Sequence, residues 1–199
     1  MKSASHNRNN SIIKDILGVI GFIVLVIIGT ILINAFVFRS FNVNGPSMQT
    51  TLYTGDRLIV NKTPLTWDHL WRRDYIPPRG QVIVFKNPQY NNNGIDEYIV
   101  KRVVGLTGER VVVKKGTVTV YNKQNPKGFN PDNLTEGPGH PTSGDVDRTV
   151  PKGEIFVMGD HRVGNFSLDS RNGLGTIPIE DIVGPVSLRI YPFNKVSSF

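Results

Sequence analysis

The chain has 199 residues, with 23 Lys and Arg against 16 Asp and Glu, a formal charge of +7, and no cysteine. That length supports one core with an elaborated cap. The missing cysteine excludes disulfides, thiolate metal sites and cysteine nucleophiles, a sortase-like thiol transpeptidase among them. The basic residues are scattered, so the surplus charge fits anionic lipid headgroups and marks no nucleic-acid partner.

Residues 1–11 are polar, with Lys2 and Arg8 and no acid, and read as a disordered tail within a cytoplasmic segment 1–15. From Ile16 to Phe38 the only polar side chains are Thr30 and Asn34. That run of about 23 residues is roughly 34 Å long as a helix, enough for a hydrocarbon core of ~30 Å. A cleavable signal peptide has a shorter apolar region and a small-residue cleavage site. Segment 16–38 is therefore expected to be an uncleaved transmembrane signal-anchor. Lys2, Arg8 and Lys14 precede it and only Arg39 follows closely. The positive-inside rule places the N-terminus in the cytoplasm and residues 40–199 outside.

Behind the span comes Asn44-Gly45-Pro46-Ser47-Met48-Gln49-Thr50-Thr51-Leu52. Pro46 fixes its own φ and pushes Gly45 out of the α region. Gly45 is expected to allow a close backbone approach. Such a turn holds one hydroxyl, that of Ser47, at a defined place. A serine after Gly-Pro is more often a plain turn residue, so the assignment needs partners.

The rest reads as β. Expected strands are Arg57–Lys62, Gln81–Lys86, Tyr98–Val104 after an Asn/Gly loop at 91–94, a hairpin of Glu109–Lys114 and Thr117–Asn122, then Glu154–Met158 and Val183–Ile190. Short β-branched strands punctuated by Gly and Pro argue for an antiparallel sandwich or barrel-like core. After Phe38 the one helical candidate is Trp67–Arg73, with Trp67, Leu70 and Trp71 on one side. The segment Thr63–Gly80 around it, with both tryptophans, three prolines and Arg72-Arg73, is a candidate for bilayer contact, or a small core under a loop. Segment 123–152, rich in Gly, Pro, Asn and Asp, reads as an inserted cap. The catalytic core is then 39–122 with 153–199.

A serine nucleophile needs a base. His6 lies in the tail, His69 in the Trp loop and His140 in the insertion. His161, in Gly159-Asp160-His161-Arg162, follows a strand and has an acid beside it, which leaves a Ser/His/Asp arrangement open. Lys101 is the other candidate. In Tyr98-Ile99-Val100-Lys101-Arg102-Val103-Val104, alternation turns either Lys101 or Arg102 towards an apolar side. Only lysine of these two can lose its proton on burial. A neutral fraction of about one in 2500 at pH 7 rises steeply if desolvation lowers the pKa by ~2–3 units. Locally, a Lys101 that snorkels to the surface is the plainer reading. Ser167, Asp169 and Arg171 lie in a Gly/Ser/Asp/Arg loop, in which Asp169 and Arg171 are close enough to pair.

Together these elements closely resemble bacterial type I signal peptidase (leader peptidase), in its single-span Gram-positive-type form. The likeness runs from the span to the C-terminus. Ser47-Met48-Gln49-Thr50-Thr51-Leu52 looks like the nucleophile box, followed by Gly55-Asp56. Arg79-Gly80-Gln81-Val82-Ile83-Val84-Phe85 looks like the next box, and Tyr98–Glu109 like the one that carries the lysine. Gly159-Asp160-His161-Arg162 and Ser167-Leu168-Asp169-Ser170-Arg171 look like the last. Departures are Thr50 for the usual Pro, Gln81 for Asp, His161 for Asn, and a longer loop before Ser167.

The resemblance implies a mainly β, signal-peptidase-like (LexA-like) fold, with an N-terminal transmembrane helix, an antiparallel catalytic core and a small β cap. It implies a membrane-bound serine endopeptidase that cleaves signal peptides, with small residues at −1 and −3, from exported preproteins. Ser47 and Lys101 would form the dyad, with no cofactor or metal. The oxyanion would be held by the Ser47 N–H and by the backbone of Gly45, which has no side-chain hydroxyl to offer. Ser167 would orient Lys101, Asp169 and Arg171 would brace the loop, and Met48 would support it. Expected partners are preprotein signal peptides, the lipid bilayer and the secretion translocon, with the enzyme a monomer and its catalytic domain outside the cell membrane. The rival readings are a Ser/Lys protease dedicated to one substrate and a silent membrane-tethered binding protein.

Overall fold

The computed structural model describes residues 4–90 and 96–199. The loop expected at 91–94 lies outside the described residues. Two units are distinct, residues 1–38 and 39–199.

The first unit is helix α1, Ala4–Phe36. Its backbone is helical well before Ile16, so the tail expected to be disordered is helical from Ala4 on. At the other end Phe38 already belongs to a strand, which shortens the expected span. A stretch of 24 residues, Ile13–Phe36, is long and apolar enough to cross a membrane, and none of it is buried in the protein. The two polar side chains are satisfied along the helix itself. Thr30 Oγ1 donates to Val26 O at 2.8 Å and Asn34 Nδ2 to Thr30 O at 3.0 Å, as apolar surroundings require.

The second unit is built on β. Its elements in order are β1 (Phe38–Asn42), β2 (Arg57–Asn61), helix α2 (Thr63–Leu70), β3 (Val82–Lys86), β4 (Tyr98–Gly105), β5 (Arg110–Lys114), β6 (Thr117–Tyr121), β7 (Val146–Thr149), β8 (Glu154–Met158), β9 (Ile177–Pro178), β10 (Ile182–Tyr191) and β11 (Ser197–Ser198). The large sheet runs β1-β2-β10-β3-β4-β8-β9, with β11 also on β10. β10 pairs antiparallel with β11, β2 and β3, β4 with β3 and β8, and β8 with β9. β10 joins the halves by changing partner along its length: Ile182–Pro185 pairs with β3, Val186–Tyr191 with β2.

β3 is apolar at every position but its last, because both of its faces are covered. Val82 and Val84 enter one core cluster, with Met48, Leu52, Leu58 and Val60. Ile83 and Phe85 enter the other, with Val103, Ile155, Val157 and Ile177. The small sheet is β6-β5-β7. Hairpin β5–β6, assigned to the core on sequence grounds, belongs here. Its inward Val111, Val113, Val118 and Val120 pack with Val150, Phe156 and Met158 in a third cluster. Residues 146–149 supply β7 to this sheet.

Trp67, Leu70 and Trp71 are all exposed, and no residue of α2 is buried. The alternative of a small core beneath them does not hold.

Candidate active site

Ser47 opens the turn that follows β1. Gly45 has φ +95°, a conformation that suits glycine, while nothing crowds the space a Cβ would fill. The requirement there is torsional, and not the close approach expected. Met48, wholly buried, locks the next residue of the turn into the core. Gln49 N–H closes the turn on Pro46 O at 3.0 Å.

Lys101 sits in the middle of β4, which is flanked by β3 and β8. The choice between Lys101 and Arg102 as the buried cation dissolves, because both are buried. Arg102 can be buried because Asp160 receives its Nε at 2.8 Å and its Nη2 at 2.6 Å, while Gly80 O receives Nη1 at 2.7 Å. Thr51 Oγ1 adds a further bond to Asp160. Among the described residues, no carboxylate is in contact with Lys101. Its Nζ lies 2.7 Å from Ser47 Oγ and 2.9 Å from Val100 O. Burial pushes its pKa down to about 8 from 10.5; the Asp169 and Asp160 charges work against that and Arg171 with it. An amine with a pKa near 8 has a substantial neutral fraction at neutral pH.

Behind the pair lies the 159–171 loop. Asp169 accepts from Gly159 N–H at 3.0 Å, Ser167 Oγ at 2.7 Å and Arg171 Nη2 at 2.8 Å. Burial alone would raise its pKa. Arg171, through hydrogen bond and charge, with Gly159 N–H and the Ser167 hydroxyl, outweighs that and holds it below the ordinary value. The expected pairing of Asp169 with Arg171 is present. Ser167 departs from expectation: its hydroxyl is donated to Asp169, not to the Lys101 amine. Gly45 departs too, since its N–H is donated to Thr54 Oγ1 at 3.0 Å and is not free for an oxyanion. Ser47 N–H has no acceptor among the described residues.

His161 is close to Ser47 but not aligned with its hydroxyl. Its peptide N–H donates to Ser47 O at 3.1 Å, its Nδ1 lies 3.2 Å from Pro46 O, and its ring stacks on Phe166 at 4.7 Å. It holds the backbone of the Ser47 turn.

Two contributors were missed from sequence. Arg162, wholly buried, pairs with Asp132 at 2.6 Å and so ties the insertion to this loop. The Gly-Asp-His-Arg spacing marks the loop but names no partner 30 residues away. Gly159 is the other. A Cβ there would collide with Ser167 Oγ and with the Ser47 carbonyl oxygen. Gly159→Ala is expected to push the Ser47 turn out of place and lower kcat by on the order of 10²-fold. The overpacking should destabilise by about 1–3 kcal/mol, read by thermal unfolding beside the cleavage assay.

The pair opens onto a cleft of about 470 Å³. One wall is the extended segment around Phe41 and Val43, the other the start of β4 at Tyr98 and Val100; Phe166 and Leu168 also line it. Phe41 and Tyr98 rings meet at 5.2 Å. A serine hydroxyl against a buried lysine, both lining a cleft in a β-rich unit, has the chemistry of a serine hydrolase that uses an amine as its base.

The chain belongs to the signal peptidase family, peptidase S26, whose family model matches residues 13–191. It is 33% identical over 195 residues to signal peptidase I of Bacillus licheniformis, covering 96% of this chain and 95% of that one. It is 36% identical to signal peptidase I T of Bacillus subtilis, over 87% and 84% of the two chains, and 32% identical to signal peptidase I S of the same organism, over 98% of each. A crystal structure of a signal peptidase I from Enterococcus faecalis aligns with 57% of this chain and 98% of that chain, at 24% identity and a TM-score of 0.43. The activity is that of signal peptidase I, a serine peptidase.

Proposed function

We propose that Ser47 and Lys101 form the catalytic dyad. The separation of 2.7 Å between Nζ and Oγ, with Lys101 buried, carries this reading. Neutral Lys101 takes the Ser47 proton as Oγ attacks the scissile carbonyl. The resulting ammonium gives that proton to the leaving amine of the mature protein, and an ester to Ser47 remains. Lys101, neutral again, deprotonates a water that attacks the ester carbonyl, then returns that proton to the departing Ser47 Oγ, releasing the signal peptide with a new carboxylate. Ser47 N–H faces the oxyanion. Met48 anchors the nucleophile turn, and Asp169 with Arg171 fixes the loop behind the amine.

The substrate is a preprotein signal peptide, bound as an added strand between residues 41–45 and 97–100, with small side chains at −1 and −3. Helix α1 anchors the enzyme in the cell membrane. Lys2, Arg8 and Lys14 ahead of the span keep the N-terminus cytoplasmic and put the catalytic unit outside.

The test is cleavage in detergent of a model preprotein with an Ala-x-Ala site. Wild type should cut after the second alanine, a bulky residue at −1 should block cutting, and Ser47→Ala should be inert. An active Ser47→Ala enzyme would refute the nucleophile assignment. Cleavage of one preprotein only among several would instead favour a dedicated protease.

A further inference from the structure

Two links tie the walls of the cleft together, and the chemistry uses one of them. The wall that reaches Ser47 begins on β1, and the facing wall is the first half of β4. In the large sheet β2, β10 and β3 stand between β1 and β4, so a contact between these two strands crosses the cleft and is no part of strand pairing. The 2.7 Å contact of Lys101 Nζ with Ser47 Oγ is the link at the reacting end. The other is built on Arg39, a residue of β1. Its guanidinium carbon lies 4.4 Å from the centre of the Tyr98 ring and 5.0 Å from that of Phe41, and its Nη1 donates to the Tyr98 hydroxyl at 3.0 Å. The two rings meet at 5.2 Å. The Tyr98 hydroxyl donates in turn to Asp96 Oδ2 at 3.1 Å, and Lys86 of β3 holds that carboxylate at 3.0 Å.

An exposed arginine with a single partner contributes little. Arg39 instead meets two aromatic faces and a hydroxyl at once, which holds side chains of two strands that are not neighbours in one arrangement. Its place along the cleft says what that arrangement controls. Tyr98 stands three residues before Lys101 on β4, about 10 Å away at the rise of a strand. Between the two links the walls present Val43 and Val100, each two residues on from Phe41 and Tyr98 and on the same face, and all four pack in the first core cluster. A peptide strand whose −1 carbonyl meets Ser47 Oγ passes Val43 and Val100 with residues −1 to −3 and reaches Arg39 with residue −4. The gap between Val43 and Val100 is thus fixed from one end by the nucleophile turn and from the other by Arg39.

We propose that Arg39 is a positioning residue for the substrate: it straps β1 to β4 across the upstream end of the cleft, sets the distance between the two walls, and so sharpens the preference for a small side chain at −3. The proposal rests on the reading of this cleft as the site of the signal peptide. Arg39 touches no reacting atom. Its effect falls on binding and on the choice between side chains, since specificity is a difference of affinities and a looser cleft loses more for the small side chain that fits it than for a larger one.

The test uses the full chain in detergent and two model preproteins, one with an Ala-x-Ala site and one with Leu-x-Ala. Wild type is compared with Arg39→Ala, with Tyr98→Phe, which removes the hydroxyl that accepts from Arg39 and keeps the ring, and with the double variant. Arg39→Ala is expected to raise KM for the Ala-x-Ala preprotein by about 5–10-fold, the worth of a cation–π contact and a hydrogen bond together, with kcat within about twofold of wild type. Its preference for Ala over Leu at −3 should fall by about the same factor. Tyr98→Phe should move both quantities in the same direction by less. The double variant should be at most about twofold worse than Arg39→Ala, because both substitutions cut one link. An unchanged −3 preference overturns the proposal and leaves Arg39 a packing residue, as does a loss confined to kcat. Fully additive effects in the double variant also overturn it. Wild type that binds and cuts neither preprotein refutes the reading of the cleft, and the strap falls with it.

Discussion

Lys101→Met is expected to reduce preprotein cleavage by on the order of 10³–10⁴-fold, the range for loss of a positioned general base. Methionine keeps the length and the apolar stem but removes the amine that lies 2.7 Å from Ser47 Oγ. Lys101→Arg should fail equally, since a guanidinium cannot give up its proton near neutral pH. His161→Ala should keep most of the activity. Its Nδ1 faces Pro46 O, not the serine hydroxyl, and its peptide N–H, which holds Ser47 O, survives the substitution. The assay is single-turnover cleavage of an Ala-x-Ala preprotein by the three variants beside wild type. A dead His161→Ala enzyme with an active Lys101→Met enzyme would replace the lysine mechanism by a histidine one.

The second large effect is in pH, and it runs through both activity and stability. The base must be neutral to act. With the Lys101 pKa lowered to about 8 by burial, kcat/KM should climb with pH up to about 8 and level off above it. For stability, the folded pKa of about 8 lies below the unfolded value of 10.5. Between those values the unfolded chain binds more protons, so stability rises with pH across that window. Below pH 8 the buried ammonium costs about 3 kcal/mol, at 1.36 kcal/mol per pKa unit. Lys101→Met should therefore unfold at a higher temperature than wild type at pH 7, and the difference should shrink from pH 8 to 10.5. The same substitution is expected to destroy activity and add stability, a trade common where a site holds a group against its solvation. A variant less stable than wild type at pH 7 would count against a strained buried amine.

Much of the architecture was legible because it is local. The span is a run of apolar side chains, and β2, β3, β4, β5, β6, β8 and β10 are β-branched runs between turn residues, found within a residue or two of their ends. What escaped lacks such a pattern. β7 is Val-Asp-Arg-Thr at the edge of the small sheet, mostly exposed. β9 and β11 are two residues each. β1 was hidden because Phe38 extends the apolar run of the helix. α2 was placed a few residues late, since Pro64 sits in its first turn, where a proline costs nothing.

The motif residues could be named from sequence, but not who holds whom. Ser47, Lys101, Asp169 and Arg171 stand out by residue type and order, and the +95° φ at Gly45 explains the glycine two residues before Ser47. That burial lowers a lysine pKa is elementary; that Lys101 is buried follows from β4 lying between β3 and β8. The 54-residue gap between Lys101 and Ser47, and the 58-residue gap between Arg102 and Asp160, are bridged only by that sheet order. Within the loops, Ser167 donates to Asp169 two residues on and Gly45 N–H to Thr54 Oγ1 nine residues on, choices that residue type alone does not make, and the tryptophans face outward. Composition and spacing act over a few residues of chain, so they determined the elements, the span and the chemical class. Partners of a buried hydroxyl or amide are set by which strands lie side by side, and only the tertiary structure decided those.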